Sequence, residues 1–173
     1  MKQGRKISIV SRMFAVLLAV MMVCSNISLP SKAAETVQTI AAWEYKDKDS
    51  APSSLPAGAT SGSGQLNVTG ATYTGYSSKS LAANNWEEEG SWTISEINAE
   101  KYENLTFSAS LRSSNTGAKN FQLEYSLDKG QSWTVVDGGA VEITSTNLTQ
   151  LYKDVKLPAE LSGQNFALRV KKV

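Results

Sequence analysis

Catalysis near neutral pH needs a nucleophile, a proton carrier or a metal cradle, and this chain lacks the residue types for most of them. It has no histidine and a single cysteine, Cys24. Ser-His-Asp and Cys-His nucleophilic sites and histidine-ligated zinc are therefore excluded. Thiol chemistry goes too once Cys24 is discarded with the amino-terminal segment described below. There is no phosphate-cradling loop or dinucleotide glycine fingerprint, since Gly58, Gly62 and Gly64 lie in a Ser- and Pro-containing stretch without a strand-to-helix context. Carboxylates remain, and two at a suitable separation hydrolyse a glycosidic bond. Glu44, Glu124 and Glu142 are the candidates, but each alternates with apolar neighbours and reads first as the wet face of a strand. No titratable constellation can be named, so the chain is expected not to be an enzyme. A small carboxylate-dependent glycoside hydrolase is the lesser alternative.

Binding chemistry has better candidates. Tyr73, Tyr76 and Trp86 stand in polar surroundings, where aromatic rings either stack on sugar rings or cover a sheet edge. They are the candidate ligand-binding residues of a carbohydrate-binding module. Such a module needs an exposed aromatic platform or a groove lined by Asn, Gln and Glu. Trp43, Trp92, Trp133, Phe107, Phe121 and Tyr125 fall on apolar faces and are expected in the core. Glu87, Glu88 and Glu89 form the one acidic run that invites a hard cation such as calcium. No loop of alternating Asp and Asn ligands accompanies it, and an exposed acidic turn is the preferred reading. No cofactor is expected beyond that candidate structural calcium.

The elements that must position these groups are strands. Leu105, Phe107, Ala109 and Leu111 alternate with Thr106, Ser108, Ser110 and Arg112, and Phe121, Leu123, Tyr125 and Leu127 alternate with Gln122, Glu124 and Ser126. Successive strand side chains point to opposite faces, so both segments have one apolar and one polar face, as in an antiparallel sheet packed on one side. Ser113 to Gly117 is a cluster of turn formers between them. After the second strand, Asp128-Lys129-Gly130 leads into a strand over Trp133 to Val136, which reads as a hairpin. Further strands are expected over Val37–Tyr45, Leu66–Val68, Trp92–Ile94, Val141–Thr144, Leu151–Val155 and Phe166–Val170, with a long loop from Asp47 to Gly64 and a turn at Asp137-Gly138-Gly139. Strands at this spacing, punctuated by turns and without a helix, predict an all-β, jelly-roll-like antiparallel β-sandwich.

The hairpin also carries a pattern. Ser126, Asp128, Gly130 and Trp133 are spaced as in the Asp-box, a hairpin motif of many secreted β-proteins. The Asp carboxylate accepts turn amides, the Gly takes positive φ and the Trp packs beneath the turn. The resemblance implies a structural fastener away from any active site.

Residues 1–33 read as a helical secretion signal preceding a single 34–173 module. Lys2, Arg5, Lys6 and Arg12 precede the apolar run Met13–Val23, and Ser31-Lys32-Ala33 offers small residues at the two positions a signal peptidase reads. The run is shorter than the roughly 20 apolar residues of a membrane span. Its removal takes five of the 17 basic residues (Lys2, Arg5, Lys6, Arg12, Lys32) and none of the 16 acidic ones, leaving 12 against 16 and a net charge of −4. That balance gives no electrostatic case for nucleic acid. The processed chain is expected to be extracellular, free of the membrane and without disulfides. A cysteine-free secreted chain suits a Gram-positive source.

From Trp92 onward, three groups of residues carry a family resemblance: Tyr102-Glu103-Asn104-Leu105, Ser113-Ser114-Asn115-Thr116-Gly117, and Phe121-x-Leu123-x-Tyr125-Ser126 with the turn to Trp133. Ile40-Ala41-x-Trp43 adds to them. In these the chain resembles a non-catalytic β-sandwich module of secreted Gram-positive proteins, found before lamin-tail, endonuclease/exonuclease/phosphatase, metallophosphoesterase or S-layer-type domains. Ala118 stands where such modules often have Pro. The resemblance implies an accessory or binding module of a larger extracellular protein, with that protein's catalytic domains as partners. A glycan or cell-wall polysaccharide is the candidate ligand, and carbohydrate binding is the alternative primary role. The modules it resembles continue into a closing strand, so a carboxy-terminally truncated chain is expected. The alternative is a natural end in which Phe166–Val170 is an edge strand blunted by Lys171 and Lys172.

Overall fold

The computed structural model describes residues 37–173. The expected signal over residues 1–33 lies outside the described residues. Among the described residues twelve strands run in chain order: β1 (Ala41–Ala42), β2 (Ala57–Gly58), β3 (Ser61–Gly62), β4 (Gln65–Thr69), β5 (Thr72–Ser77), β6 (Ser80–Asn84), β7 (Ser91–Asn98), β8 (Thr106–Leu111), β9 (Asn120–Ser126), β10 (Thr134–Glu142), β11 (Thr149–Lys156) and β12 (Asn165–Lys172). The only helical element among the described residues is a 3-10 turn, Ala159–Leu161.

The main sheet has six antiparallel strands in the order β10-β9-β12-β7-β4-β2. Its registers place Leu66 opposite Ile94, Ile94 opposite Leu168 and Leu168 opposite Tyr125. One row along, Val68, Trp92, Val170 and Leu123 face one another in the same way. These rows make the inner face. The pair β8–β11 closes over it, with Phe107 set edge-on to Tyr152 at 5.3 Å between ring centroids. Leu123, Val136, Tyr152, Phe166, Leu168 and Val170 are buried in the shared core. Each large apolar side chain taken fully out of water contributes about 1.5–3 kcal/mol, so this layer carries most of the favourable free energy of folding. The result is an antiparallel β-sandwich, as the alternation predicts.

The strands over Leu105–Arg112 and Phe121–Leu127, neighbours in sequence, belong to opposite layers, so the Ser113–Gly117 turn crosses between sheets. Two sequence expectations change. Asp137-Gly138-Gly139 does not end a strand; β10 runs through it with an irregular register between Val135 and Ala140. Gly138 takes φ of +71°, and a Cβ on Gly139 would come within 2.9 Å of the Leu123 Cβ, so the glycines permit a bulge where a turn is expected. Finally, β12 is a central strand paired to both β7 and β9, so Lys171 and Lys172 blunt no edge.

Candidate functional site

The outer face of the main sheet is polar. Registers line up Asn67, Thr93, Arg169, Glu124 and Val135 in one row across β4, β7, β12, β9 and β10. The next row holds Thr69, Ser91, Lys171, Gln122 and Ala140. At the centre of the first row, Glu124 Oε2 accepts from Arg169 Nε at 2.6 Å and forms an ion pair with its Nη2 at 2.5 Å. The two side chains shield each other, Glu124 being 9% exposed and Arg169 19%. Asn67 and Val135, at the ends of the row, are exposed. In the second row Lys171 pairs with Glu89 at 2.6 Å, and that hydrogen bond holds the Glu89 carboxyl below its ordinary range.

The β9–β10 turn supports this centre. Asp128 Oδ1 accepts from Ser126 Oγ at 2.7 Å and from Ser132 N–H at 2.9 Å, and its other oxygen accepts the Ser132 hydroxyl. Those donors, Ser132 foremost, hold the Asp128 carboxyl down to about 2. Gly130 takes φ of +87°, donates its N–H to Ser126 Oγ at 2.8 Å and accepts from Trp133 Nε1 at 3.1 Å. Trp133 is fixed beneath the turn, and the Arg169 guanidinium lies over its ring, 4.5 Å from the centroid. The Asp128 carboxylate accepts a turn amide, Gly130 takes positive φ and Trp133 packs against the turn, as the spacing of the motif implies, and the bonds made by Ser126 Oγ and Trp133 Nε1 add to these. The motif therefore does more than close a hairpin: its Trp is the shelf for an outer-face cation. Trp133, expected in the core, stands outside the core cluster, as does Trp43, whose Nε1 donates to Ala57 O at 3.1 Å.

Trp86 does the reverse. Placed by its polar neighbours among the ligand candidates, it packs edge-on against Trp92 at 6.2 Å and Phe121 at 5.6 Å, and its Nε1 donates to Ala83 O. Tyr73 and Tyr76 lie on β5, and both hydroxyls are used: Tyr73 donates to Pro52 O at 2.7 Å, Tyr76 to Lys46 O at 3.2 Å. These bonds tie the 46–52 loop to the β5–β6 hairpin. The structure does not bring Trp86 into one platform with the two tyrosines. Beside them, Tyr45 borders two open depressions of about 420 and 580 Å³, lined by residues such as Ser50, Pro52, Thr60 and Glu44. The Tyr45 phenol is pushed up by burial and by the neighbouring Tyr73.

Glu87, Glu88 and Glu89 are exposed, and Glu89 is taken by Lys171. Among the described residues no three acidic, His or Cys side chains are grouped as metal ligands. Of the carboxylates considered for hydrolysis, Glu124 and Glu142 share the outer face, Glu142 lying opposite Asn120. Four residues of strand separate Asn120 from Glu124, roughly 13 Å, beyond the roughly 5–9.5 Å that paired carboxylates need. Glu44 lines the larger depression, in the irregular chain after β1.

Comparison with known proteins gave no match to a family model, a curated protein or a solved structure.

Proposed function

We propose that the chain is a non-enzymatic accessory module of a larger secreted protein, and that it holds an extracellular ligand on the outer face of its six-stranded sheet. The observation that carries this reading is the row Asn67–Thr93–Arg169–Glu124, polar side chains held in register on four adjacent strands. A wet sheet face needs only scattered polar groups to stay soluble. A shielded ion pair seated on a tryptophan shelf is more than solubility requires, because fixing long charged side chains costs entropy. The separation of Glu124 from Glu142 favours binding over glycosidic hydrolysis. The pairing of both outer-face cations, Arg169 with Glu124 and Lys171 with Glu89, disfavours nucleic acid, which needs free positive charge. It leaves a cell-wall or other extracellular polysaccharide as the preferred ligand.

The chain expressed from its full coding sequence and mixed with Gram-positive wall preparations is expected to sediment with them. Asn67→Ala is expected to weaken that sedimentation, and no reducing ends are expected to be released. A chain that stays in the supernatant with every wall preparation contradicts the reading, and so does the steady release of reducing ends.

A further inference from the structure

We infer that the Glu124–Arg169 pair reads adjacent hydroxyl groups on an uncharged polysaccharide, a proposal that rests on the outer-face reading above and names its ligand. The pair uses only part of its hydrogen-bonding capacity. Arg169 directs Nε and Nη2 to one carboxylate oxygen, Oε2. Among the described residues Glu124 Oε1 and Arg169 Nη1 have no hydrogen-bond partner, and no unpartnered polar side-chain atom is sealed from solvent. A carboxylate only accepts and a guanidinium only donates. An acceptor and a donor left over on one ion pair therefore suit a ligand that offers both a donor and an acceptor. Two neighbouring hydroxyls on a sugar ring do this: one donates to Oε1 and the next accepts from Nη1. A ligand carboxylate or phosphate would meet the Glu124 charge, and an amine would meet Arg169. In the second pair Lys171 is matched by Glu89, so neither outer-face cation is left without a carboxylate to attract an anionic polymer.

The site is also preorganised and extended. The Arg169 Cζ lies over the Trp133 ring, 4.5 Å from its centroid, and Trp133 is itself held by Gly130, so little side-chain freedom remains to be lost on binding. From Glu124 the row continues to Thr93 and Asn67, three strand spacings or roughly 14 Å in all, so a polymer lying across the strands meets a polar group at each step.

The test is affinity electrophoresis of the full chain in gels containing hydroxyethylcellulose, mannan, arabinoxylan or polygalacturonate. Native chain and the variants Glu124→Gln, Arg169→Lys, Asn67→Ala and Thr93→Ala are run together. At least one of the three neutral polymers is expected to retard the native chain. Glu124→Gln and Arg169→Lys should weaken that retardation by about tenfold or more, the scale of a hydrogen bond to a charged group. Lysine keeps the charge but loses the fork. Asn67→Ala and Thr93→Ala should weaken it severalfold with an unchanged unfolding midpoint, which decides the matter should the ion-pair variants fail to fold. Retardation by polygalacturonate alone, or equal neutral retardation of all the variants, overturns the proposal. A chain that sediments with walls yet is retarded by no neutral polymer sinks the hydroxyl reader and leaves the outer face standing as a binding surface.

Discussion

The two faces of the six-stranded sheet are made by the same strands and do opposite work. On β9, Phe121, Leu123 and Tyr125 point inward while Gln122 and Glu124 point outward. On β12, Phe166, Leu168 and Val170 are buried while Arg169 and Lys171 face out. The inner face is closed by β8–β11 and stabilises the fold through burial. The outer face is polar, and Arg169 and Lys171 on it are each paired with a carboxylate. The lesson is separability. Because side chains alternate where a strand is regular, as from Phe121 to Tyr125, one residue step there moves a substitution from the part that holds the fold to the part proposed to hold the ligand.

The largest break should come on the inner face. Leu123 is fully buried, and Leu123→Ala should cost about 2–5 kcal/mol, read as a lower urea midpoint with native-like wall binding in whatever folds. Tyr152 tests the same layer by pH. It is wholly buried, donates to Gly139 O at 3.1 Å, and burial raises its phenol pKa well above the ordinary 10.0. A raised folded pKa means that the stabilisation is complete below pH 10.0 and is lost as pH rises toward the folded value. Tyr152→Phe should lower stability at neutral pH by about 1–3 kcal/mol, since the Gly139 carbonyl loses its donor. The variant should also show a shallower alkaline loss than the native chain, as measured by urea melts across the alkaline range.

A smaller effect is expected at the turn that joins the two faces. Asp128 is held at about 2 against an ordinary 3.8, so its contribution is present above 3.8 and disappears as pH falls through about 2. Asp128→Asn should lower the midpoint at neutral pH and flatten part of the acid limb. Only part is expected to go, because Asp47 and Glu89 are held low as well. Urea melts of the two proteins that keep the same spacing down to pH 2 would contradict the turn's hydrogen-bond pattern. Smallest of all should be Thr93→Ala, on the outer face, with a stability change within about 0.5 kcal/mol in the same assay.

Much of this division was legible in the sequence, because alternation is a local signal. The inward sets of β8, β9 and β12 follow from residue type alone, and the Asp-box spacing named the turn amide that Asp128 accepts; on β11 the irregular register between Tyr152 and Val155 breaks the alternation. Register is not local. Arg169 and Glu124 are each recognisable as outward residues, but only strand order sets them opposite each other across 45 positions of chain. Trp86 and Trp133 exchange their expected places because polar sequence neighbours do not make polar surroundings. Trp86 follows the polar Asn84-Asn85 and yet folds onto Phe121, while Trp133 begins an alternating strand and yet lies under Arg169. The β5–β6 hairpin stayed hidden for another reason. Its two-residue turn places Ser78 and Lys79 at φ of 50° and 68°, where Asn and Gly are the usual signal.

Amide chemical-shift mapping of the labelled chain, titrated with whichever neutral polysaccharide retards it, tests the division between the faces most directly. The expected result is a band of shifts at Asn67, Thr93, Glu124 and Arg169 that crosses the four strands, with β8 and β11 unmoved. Shifts gathered instead around Tyr45, Tyr73 and Tyr76 would place the ligand in the depressions by the 46–52 loop and contradict the outer face as the binding surface.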